Sequence, residues 1–358
     1  MTTEINTYVR YQFNEFGMGL KRTEVELPKP TGTEVLVRVN YCGVCHSDVH
    51  IYEGYYGLGQ GKKLSLEERG IKLPVTLGHE IVGTIEAAGD QAGDVQPGKQ
   101  MLVYPWIGCG ECSVCKRGEE NLCTKPAALG VFKPGGYSQY VLVPHPRYLM
   151  DLGNLNPSHA SLLACSGLTT FSAIKKMGDI HEDEAVVVIG CGGLGLLAIR
   201  TLSLLGVKNI IGLDLSEQKR ELALKVGATS VFDSSRENVS EAVLRAGNAN
   251  CAAVLDFVGG DATVQMGLNL IRKGGKLIIV GLHGGELSYP IPYIITKAIS
   301  IIGSYTGSLG DLKELIEFAN KHDLINLPIQ IRPLDEADDA LNQLTNGQVE
   351  GRLVLENS

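Results

Sequence analysis

Long apolar runs are missing from this chain. No uninterrupted hydrophobic stretch approaches the roughly 20 residues that a bilayer-spanning helix needs. An excess of positive charge is missing too. Lys and Arg number 32 against 40 Asp and Glu, for a net charge of −8, which gives no electrostatic footprint for nucleic acid. Tryptophan is nearly absent, with Trp106 as its single instance. The opening MTTEINTYVR has none of the apolar core of a secretory leader. A cytoplasmic, reducing setting is therefore expected, in which disulfides are rare. Internal repeats and low-complexity segments are also lacking. At 44% hydrophobic and 20% charged over 358 residues, the composition fits a globular protein with room for two domains.

Cysteine and glycine are plentiful by contrast. Four of the nine cysteines crowd into CGECSVCKRGEENLC as Cys109, Cys112, Cys115 and Cys123, with spacing C-x2-C-x2-C-x7-C. Four thiolates on one short loop make a closed tetrahedral site, the arrangement of a structural zinc. Two disulfides would need an oxidising compartment, and spacing alone leaves an iron–sulfur cluster open. Cys45, His79 and Cys165 are a second set of soft ligands, scattered at long range. Three protein ligands and one open position are what a catalytic zinc requires. Cys42, Cys191 and Cys251 sit in apolar or glycine-rich surroundings and read as small buried hydrophobes.

The first ~150 residues read as β-rich, with alternation in TEVLVRVNYCGVC and HEIVGTIEAAG. Gly54–Pro74 reads as a long surface loop with a short helix, of the kind that shapes a site. From about Ser166 the rhythm becomes strand–helix: EAVVVIG, LGLLAIRTLSLLG, NIIGLDL, EQKRELALKVG, TSVFD, AAVLDFVG, DATVQMGLNLIRKGG, KLIIVGL. Such alternation implies βαβ units and a parallel sheet, to which SIIGSY offers a sixth strand. The tail from Leu309 adds helices in DLKELIEFANKH and DEADDALNQLTNG, and strands in LPIQIRPL and GRLVLEN.

Within this second region Gly190, Gly192 and Gly195 spell G-x-G-x-x-G, with Gly193 and Leu194 between them. The motif follows a strand and opens a helix, which is the context a dinucleotide fingerprint needs. Gly190 permits the tight turn, Gly192 lets the backbone approach a pyrophosphate, and Gly195 lets helix and strand pack closely. Asp214 ends the next strand, where a carboxylate accepts from ribose hydroxyls and repels a 2′-phosphate. The next residues, Leu215, Ser216, Glu217 and Gln218, supply no arginine. NAD is therefore expected over NADP. Lys219 is within reach of the ribose, although taken singly it is an ordinary solvated helix residue.

GVCHSDVH, GHE, the cysteine loop, LLACSGLTT and the glycine motif stand together in this order. With them the whole chain resembles the zinc-dependent alcohol dehydrogenases of the medium-chain dehydrogenase/reductase family. The insertion at Gly54–Pro74 and KLPVTLGHEIVG are closest to the bacterial and archaeal tetrameric branch. The resemblance implies an α/β fold: a GroES-like β-rich catalytic domain over residues 1–166 and 304–358, and a Rossmann NAD-binding domain over 167–303. It implies two zinc ions per subunit, one catalytic on Cys45, His79 and Cys165, the other structural on the four-cysteine loop. It implies an alcohol or carbonyl substrate, hydride exchange with NAD, and a homotetramer built as a dimer of dimers. No nucleic-acid or membrane partner is implied.

Further roles carry over from the resemblance. Ser47 would start a proton relay that ends at His50, a group that titrates near neutrality. His46 would face the cofactor pyrophosphate. Glu80 would be a carboxylate near the zinc, and Asp48 would orient the ligand histidine through its free ring nitrogen. Thr169, Val258, Val280, Leu282, Ser304 and Tyr305 would line the cofactor, with Leu282 and Tyr305 also walling an apolar substrate pocket beside Trp106. Arg352 would reach the pyrophosphate. Two rival readings keep the motifs: a polyol-type dehydrogenase, against which Cys165 in the third ligand place argues, and a non-enzymatic zinc-binding relative, against which Ser47 and His50 argue.

Overall fold

The computed structural model describes residues 6–324 and 328–357. The chain forms two compact units. One comprises residues 1–55, 65–168 and 307–358, the other 56–64 and 169–306.

The first unit is built on antiparallel strands. Its larger sheet runs Leu149–Asp151, Gln100–Val103, Glu80–Ala88, Val35–Val44, Arg352–Glu356 and Ile329–Pro333, with Tyr140–Val143 also paired to Val35–Val44. The long strand Val35–Val44 is central because its residues are apolar on both faces, with only Arg38 exposed. A register shift between Val39 and Tyr41 divides it. One half pairs with Tyr140–Val143, while the Cys42–Val44 end pairs with the last strand, setting Leu353 opposite Val44. Glu80 lies opposite Gly43 on the other side. The ends of three strands thus meet beside Cys45. A smaller sheet orders Lys21–Glu26, Thr7–Phe13 and Val75–Thr76. Phe13, Val37, Leu77, Ile81, Leu102, Tyr104, Leu162 and Leu163 are fully buried in this unit. The expected tail helices are Leu309–Lys321 and Ala337–Thr345. The expected strand LPIQIRPL is Ile329–Pro333, its Leu327 lying outside the described residues.

The second unit is a six-stranded parallel sheet ordered Ser230–Asp233, Asn209–Asp214, Ala185–Ile189, Cys251–Asp256, Lys276–Ile279 and Ser300–Gly303. Ala185–Ile189 and Cys251–Asp256 are buried at every position, as expected of strands covered on both faces. The order reverses direction around Ala185–Ile189, the topological switch point at which such sheets bind ligands beyond their carboxyl ends. Helices that escaped the sequence reading include Val239–Ala246, Ile291–Lys297 and Ser166–Met177 and, in the first unit, His46–Glu53.

Gly54–Pro74 contains no helix. Tyr55–Gly57 and Lys63–Ser65 form a small hairpin, and residues 56–64 belong to the second unit rather than to the β-rich one. The cause is polar: Gln60 Nε2 donates to Glu286 at 2.7 Å, and Lys62 Nζ lies 3.4 Å from the same carboxylate. Among the described residues no helix is long and apolar enough to cross a membrane.

Candidate active site

Cys45 follows the central strand directly and caps the helix His46–Glu53. Asp48, at the third helical position, closes the cap by accepting from Cys45 N–H at 3.0 Å. His79 precedes the strand Glu80–Ala88, and Cys165 precedes the helix Ser166–Met177. The ligand atoms of these three buried residues all lie within 4.8 Å of one another, with the two sulfurs 3.9 Å apart. His79 Nδ1 lies 3.1 Å from Asp48 Oδ1, so Nδ1–H donates to Asp48 and Nε2 is left as the inward, ligating nitrogen. Among the described residues His79 Nε2 is buried with no geometric hydrogen-bond partner, and a buried polar atom is rarely left so. An orphaned imidazole nitrogen facing two thiols fits a soft divalent cation such as zinc. Burial alone would lower the His79 pKa, but the Asp48 carboxylate outweighs it and raises it well above the ordinary value. The facing thiols split: their mutual hydrogen bond holds Cys45 well below the usual thiol range and raises Cys165.

The four-cysteine loop converges as well. Cys112 Sγ lies 3.4 Å from Cys115 Sγ and 3.8 Å from Cys123 Sγ, and Cys109 Sγ lies 3.9 Å from Cys115 Sγ. A disulfide would bring sulfurs to about 2.05 Å. Zn–S bonds of about 2.3 Å in a tetrahedron separate sulfurs by about 3.8 Å. The backbone N–H groups of Cys109 and Lys125 both donate to Cys123 Sγ at 3.3 Å, as suits a thiolate. Hydrogen bonds from the Glu111 and Cys112 backbone lower the Cys109 pKa to about 6, whereas burial pushes Cys115 up to about 12.

Glu80 and Arg352 form a buried pair behind the trio. Glu80 Oε2 accepts from Arg352 Nη2 at 2.5 Å, and Glu80 Oε1 accepts from Ser166 N–H at 3.1 Å and Ser166 Oγ at 2.5 Å. Arg352 also donates to Ser166 Oγ and, at 3.2 Å, to the Val44 carbonyl. Burial pushes Glu80 up to about 7 against the pull of Arg352. Arg352, which the resemblance assigns to the pyrophosphate, is held here by Glu80 and Ser166. Pairing of the last strand with Cys42–Val44 turns the guanidinium, 6% exposed, onto Glu80.

Ser47 and His50 are half-buried, three positions apart on the helix His46–Glu53 and so on one face of it, while His46 is exposed at its start. Trp106 is buried. Its ring lies 5.3 Å from that of His79, and its Nε1 donates to the Ala164 carbonyl at 3.0 Å. A cavity of about 410 Å³ lined by Asn156, His159, Asn320 and His322 lies elsewhere in this unit and includes none of the sequence-derived site residues.

In the second unit the glycine motif joins the strand Ala185–Ile189 to the helix Gly193–Leu204. Gly190 has φ +87°. Asp214 is stitched to the turn: its oxygens accept from Cys191 N–H at 2.8 Å and Ser216 N–H at 2.9 Å, and each retains an acceptor position. Lys219 is exposed one turn into the next helix. The sequence reading found no arginine here, yet Arg220 donates to the Asp214 and Leu215 carbonyls at 2.8 Å and lies 4.0 Å from Asp233. Val258 and Val280 follow the ends of neighbouring strands. Asp256 holds them: its carboxylate accepts from Val258 N–H, Gly259 N–H and Thr263 Oγ1, and its carbonyl from Val280 N–H. Thr169 and Ser304 are buried, whereas Leu282 and Tyr305 are about half exposed. Arg220, Asp256, Ser166 and Tyr137, which bonds Asp48, were all missed. For Asp256 a signal existed, an acid closing the apolar strand AAVLD. For the others none did.

Comparison with known proteins gives one consistent class. Residues 31–153 match the alcohol dehydrogenase GroES-like domain, and residues 193–321 match the zinc-binding dehydrogenase domain. An NAD-dependent alcohol dehydrogenase of Sulfurisphaera tokodaii is 38% identical over 95% of this chain and 97% of the relative. A D-arabinose 1-dehydrogenase (NADP(+)) of Saccharolobus solfataricus is 31% identical over 95% of both. The crystal structure of the alcohol dehydrogenase from Aeropyrum pernix superposes with TM-score 0.88 at 31% identity, covering 97% of this chain and 99% of that one. The chain belongs to the zinc-type alcohol dehydrogenases of the medium-chain dehydrogenase/reductase family. It is an oxidoreductase with a GroES-like unit and a Rossmann unit.

Proposed function

We propose that this protein is a zinc- and NAD-dependent alcohol dehydrogenase acting on a hydrophobic primary or secondary alcohol or the matching carbonyl. The observation that carries it is the orphaned His79 Nε2 facing the Cys45 and Cys165 sulfurs, in a chain that also builds a complete dinucleotide turn. When bound, zinc supplies a Lewis acid at the substrate oxygen and NAD the hydride acceptor. Cys45, His79 and Cys165 hold the first ion, and the four-cysteine loop holds a second, structural one. Ser47 Oγ would accept the alcohol proton while its own hydroxyl proton passes, by way of the cofactor ribose, to His50 on the same helix face, which would deliver a proton to solvent. His46 faces the cofactor phosphates. Asp48 fixes the His79 tautomer, and Arg352 neutralises Glu80. Asp214 accepts from the adenosine ribose, with Lys219 beside it. Val258, Val280, Ser304 and Thr169 line the nicotinamide end, with Leu282 and Tyr305 at its margin. Trp106 contributes to an apolar substrate wall.

The domain assignment follows the same reading, a catalytic domain from the β-rich unit and a cofactor domain from the parallel sheet. Nine free cysteines support a cytoplasmic setting. Self-association is supported by the sheet edge Ser300–Gly303, which has no second neighbour among the described residues, and by the adjacent helix, with Ile291 and Ile295 about 70% exposed. Such an edge favours pairing with its own copy across a two-fold axis, and a dimer of dimers completes the tetramer. A second reading, a polyol or sugar substrate with NADP, has the D-arabinose dehydrogenase relative in its favour. A panel of aliphatic, cyclic and aryl alcohols against sugars, followed at the NADH band with NAD and with NADP, separates the two. Activity confined to sugars, or equal use of both cofactors, overturns the proposal. Two zinc ions per chain are expected, and sedimentation as a monomer at micromolar concentration refutes the assembly.

A further inference from the structure

We infer that Tyr137 is a positioning residue for the metal ligand His79, acting through Asp48, and that its hydroxyl sets how tightly the Cys45–His79–Cys165 trio holds its ion. The inference rests on the zinc reading of that trio. Asp48 is wholly buried, and a buried carboxylate is tolerated only when its lone pairs are filled. Four donors fill them. Oδ1 takes Gly78 N–H at 3.2 Å and His79 Nδ1 at 3.1 Å, while Oδ2 takes Cys45 N–H at 3.0 Å and Tyr137 Oη at 3.3 Å. Three of these donors belong to the ligand-bearing segments themselves. The fourth comes from a separate segment and is the one donor that a side-chain substitution removes without touching a ligand.

Tyr137 has no freedom to be elsewhere. Gly135, Gly136 and Tyr137 donate in turn to the carbonyls of Thr76, Gly78 and Leu77 at 2.9, 2.7 and 2.9 Å, and Tyr11 N–H donates to the Tyr137 carbonyl at 2.8 Å. The segment is laced to the residues just before His79. Its ring is fully buried, and burial raises the phenol well above its ordinary range, so it serves only as a neutral donor. Without the hydroxyl, Oδ2 keeps a single donor, and the carboxylate that orients His79 can rotate. Groups that orient a metal-bound histidine are worth roughly 10–100-fold in metal affinity. A 3.3 Å bond acting at one remove belongs at the lower end.

The test is zinc release from the intact protein into excess chelating dye, for wild type, Tyr137→Phe, Asp48→Asn and the double variant. Tyr104→Phe serves as control, because it removes another fully buried hydroxyl, the one bonded to the Gly307 carbonyl at 2.9 Å. The four-cysteine zinc is the internal reference. Y137F is expected to release the trio's zinc about tenfold faster with the reference unchanged, and to add nothing in the D48N background. Y104F is expected to release at the wild-type rate. Cobalt substitution adds a signature, a d–d spectrum shifted in Y137F and in D48N but not in Y104F. Release of trio zinc from Y137F at the wild-type rate overturns the inference. So does an equal effect with and without Asp48, or a Y137F chain that fails to fold or sheds both ions together, since each makes the residue packing only. Wild type with one zinc, held by the four cysteines, instead refutes the trio reading itself.

Discussion

The glycine motif should separate into two kinds of defect, one of stability and one of affinity. A Cβ placed on Gly195 would lie 1.8 Å from the Gly190 carbonyl oxygen. Side-chain Cβ atoms do not approach closer than about 3 Å, so the helix Gly193–Leu204 would have to move off the strand by more than ~1 Å. That displacement is of backbone against backbone, with no flexible side chain to yield. It belongs near the upper end of overpacking costs, about 3 kcal/mol, or roughly 6–12 °C in melting temperature for a unit of this size. A Cβ on Gly192 meets nothing within 4 Å, and its φ of −78° is open to any residue. Gly192→Ala should cost under ~1 kcal/mol, the penalty of alanine at a helix N-cap. The empty face it fills is the one read as receiving the pyrophosphate, so NADH affinity should fall about tenfold or more, ~1.4 kcal/mol.

The assay pairs thermal unfolding with titration of NADH fluorescence on both variants. Gly195→Ala should melt early. Gly192→Ala should melt like wild type and bind NADH weakly. A Gly195→Ala protein as stable as wild type refutes the close-packing argument. A Gly192→Ala protein with intact NADH affinity shows that the open face is not where the cofactor lies.

Other perturbations have defined outcomes. Arg352→Met leaves Glu80 buried and uncompensated, which should cost about 3–5 kcal/mol in urea unfolding; Glu80→Gln added to it should recover part of the loss, and no recovery would deny the pairing. Cys112→Ser should lower zinc content by one ion and reduce stability, whereas Cys165→Ser should abolish turnover with the fold retained by circular dichroism. Asp214→Gly should relax the choice between NAD and NADP and also weaken both, because Asp214 holds Cys191 N–H; a cofactor ratio equal to wild type would deny its role. Burial raises the Asp256 pKa above 3.8, so its contribution is complete below about pH 4 and lost as pH rises through the raised value. Asp256→Asn should therefore gain stability relative to wild type as pH rises from 4 towards neutrality, and a pH-independent difference measured by urea melts would refute this.

Local spacing made much of the site legible. The four-cysteine loop and the glycine turn are each fixed within one short segment, so residue order and geometry nearly coincide there. Cys45, His79 and Cys165 were legible as soft ligands by residue type, but nothing in their spacing brings them together, and their assignment to one ion leaned on the resemblance. The partner of Arg352 was not legible for the same reason. Its meeting with Glu80 depends on two registers, Leu353 opposite Val44 and Gly43 opposite Glu80, which composition does not specify. Gly54–Pro74 was misread because its charged half, LSLEERG, mimics a solvated helix, while the Gln60 and Lys62 contacts to Glu286 draw a hairpin instead. Ser166 and Tyr137 act through hydroxyls that carry no periodic signal.

The three ligand segments are held together by two buried carboxylates. Asp48 joins the Cys45 cap to Gly78 and His79. Glu80, next to His79, reaches across to Ser166, next to Cys165. The trio therefore stands preformed, and the arrangement gathers negative charge: two carboxylates and a lowered Cys45 thiol against the Arg352 guanidinium and a His79 of raised pKa. Full ionisation of Cys165 would add one more. Low-dielectric surroundings amplify that repulsion, and the hydrogen bond between the two sulfurs does most to part them in pKa. A dication at the orphaned His79 nitrogen would remove the imbalance and let both thiolates form. By linkage, metal that binds only the folded site also stabilises it. The chemistry of this site and the stability of the unit that carries it are then one equilibrium, and a variant that loosens Asp48 or Glu80 weakens both together.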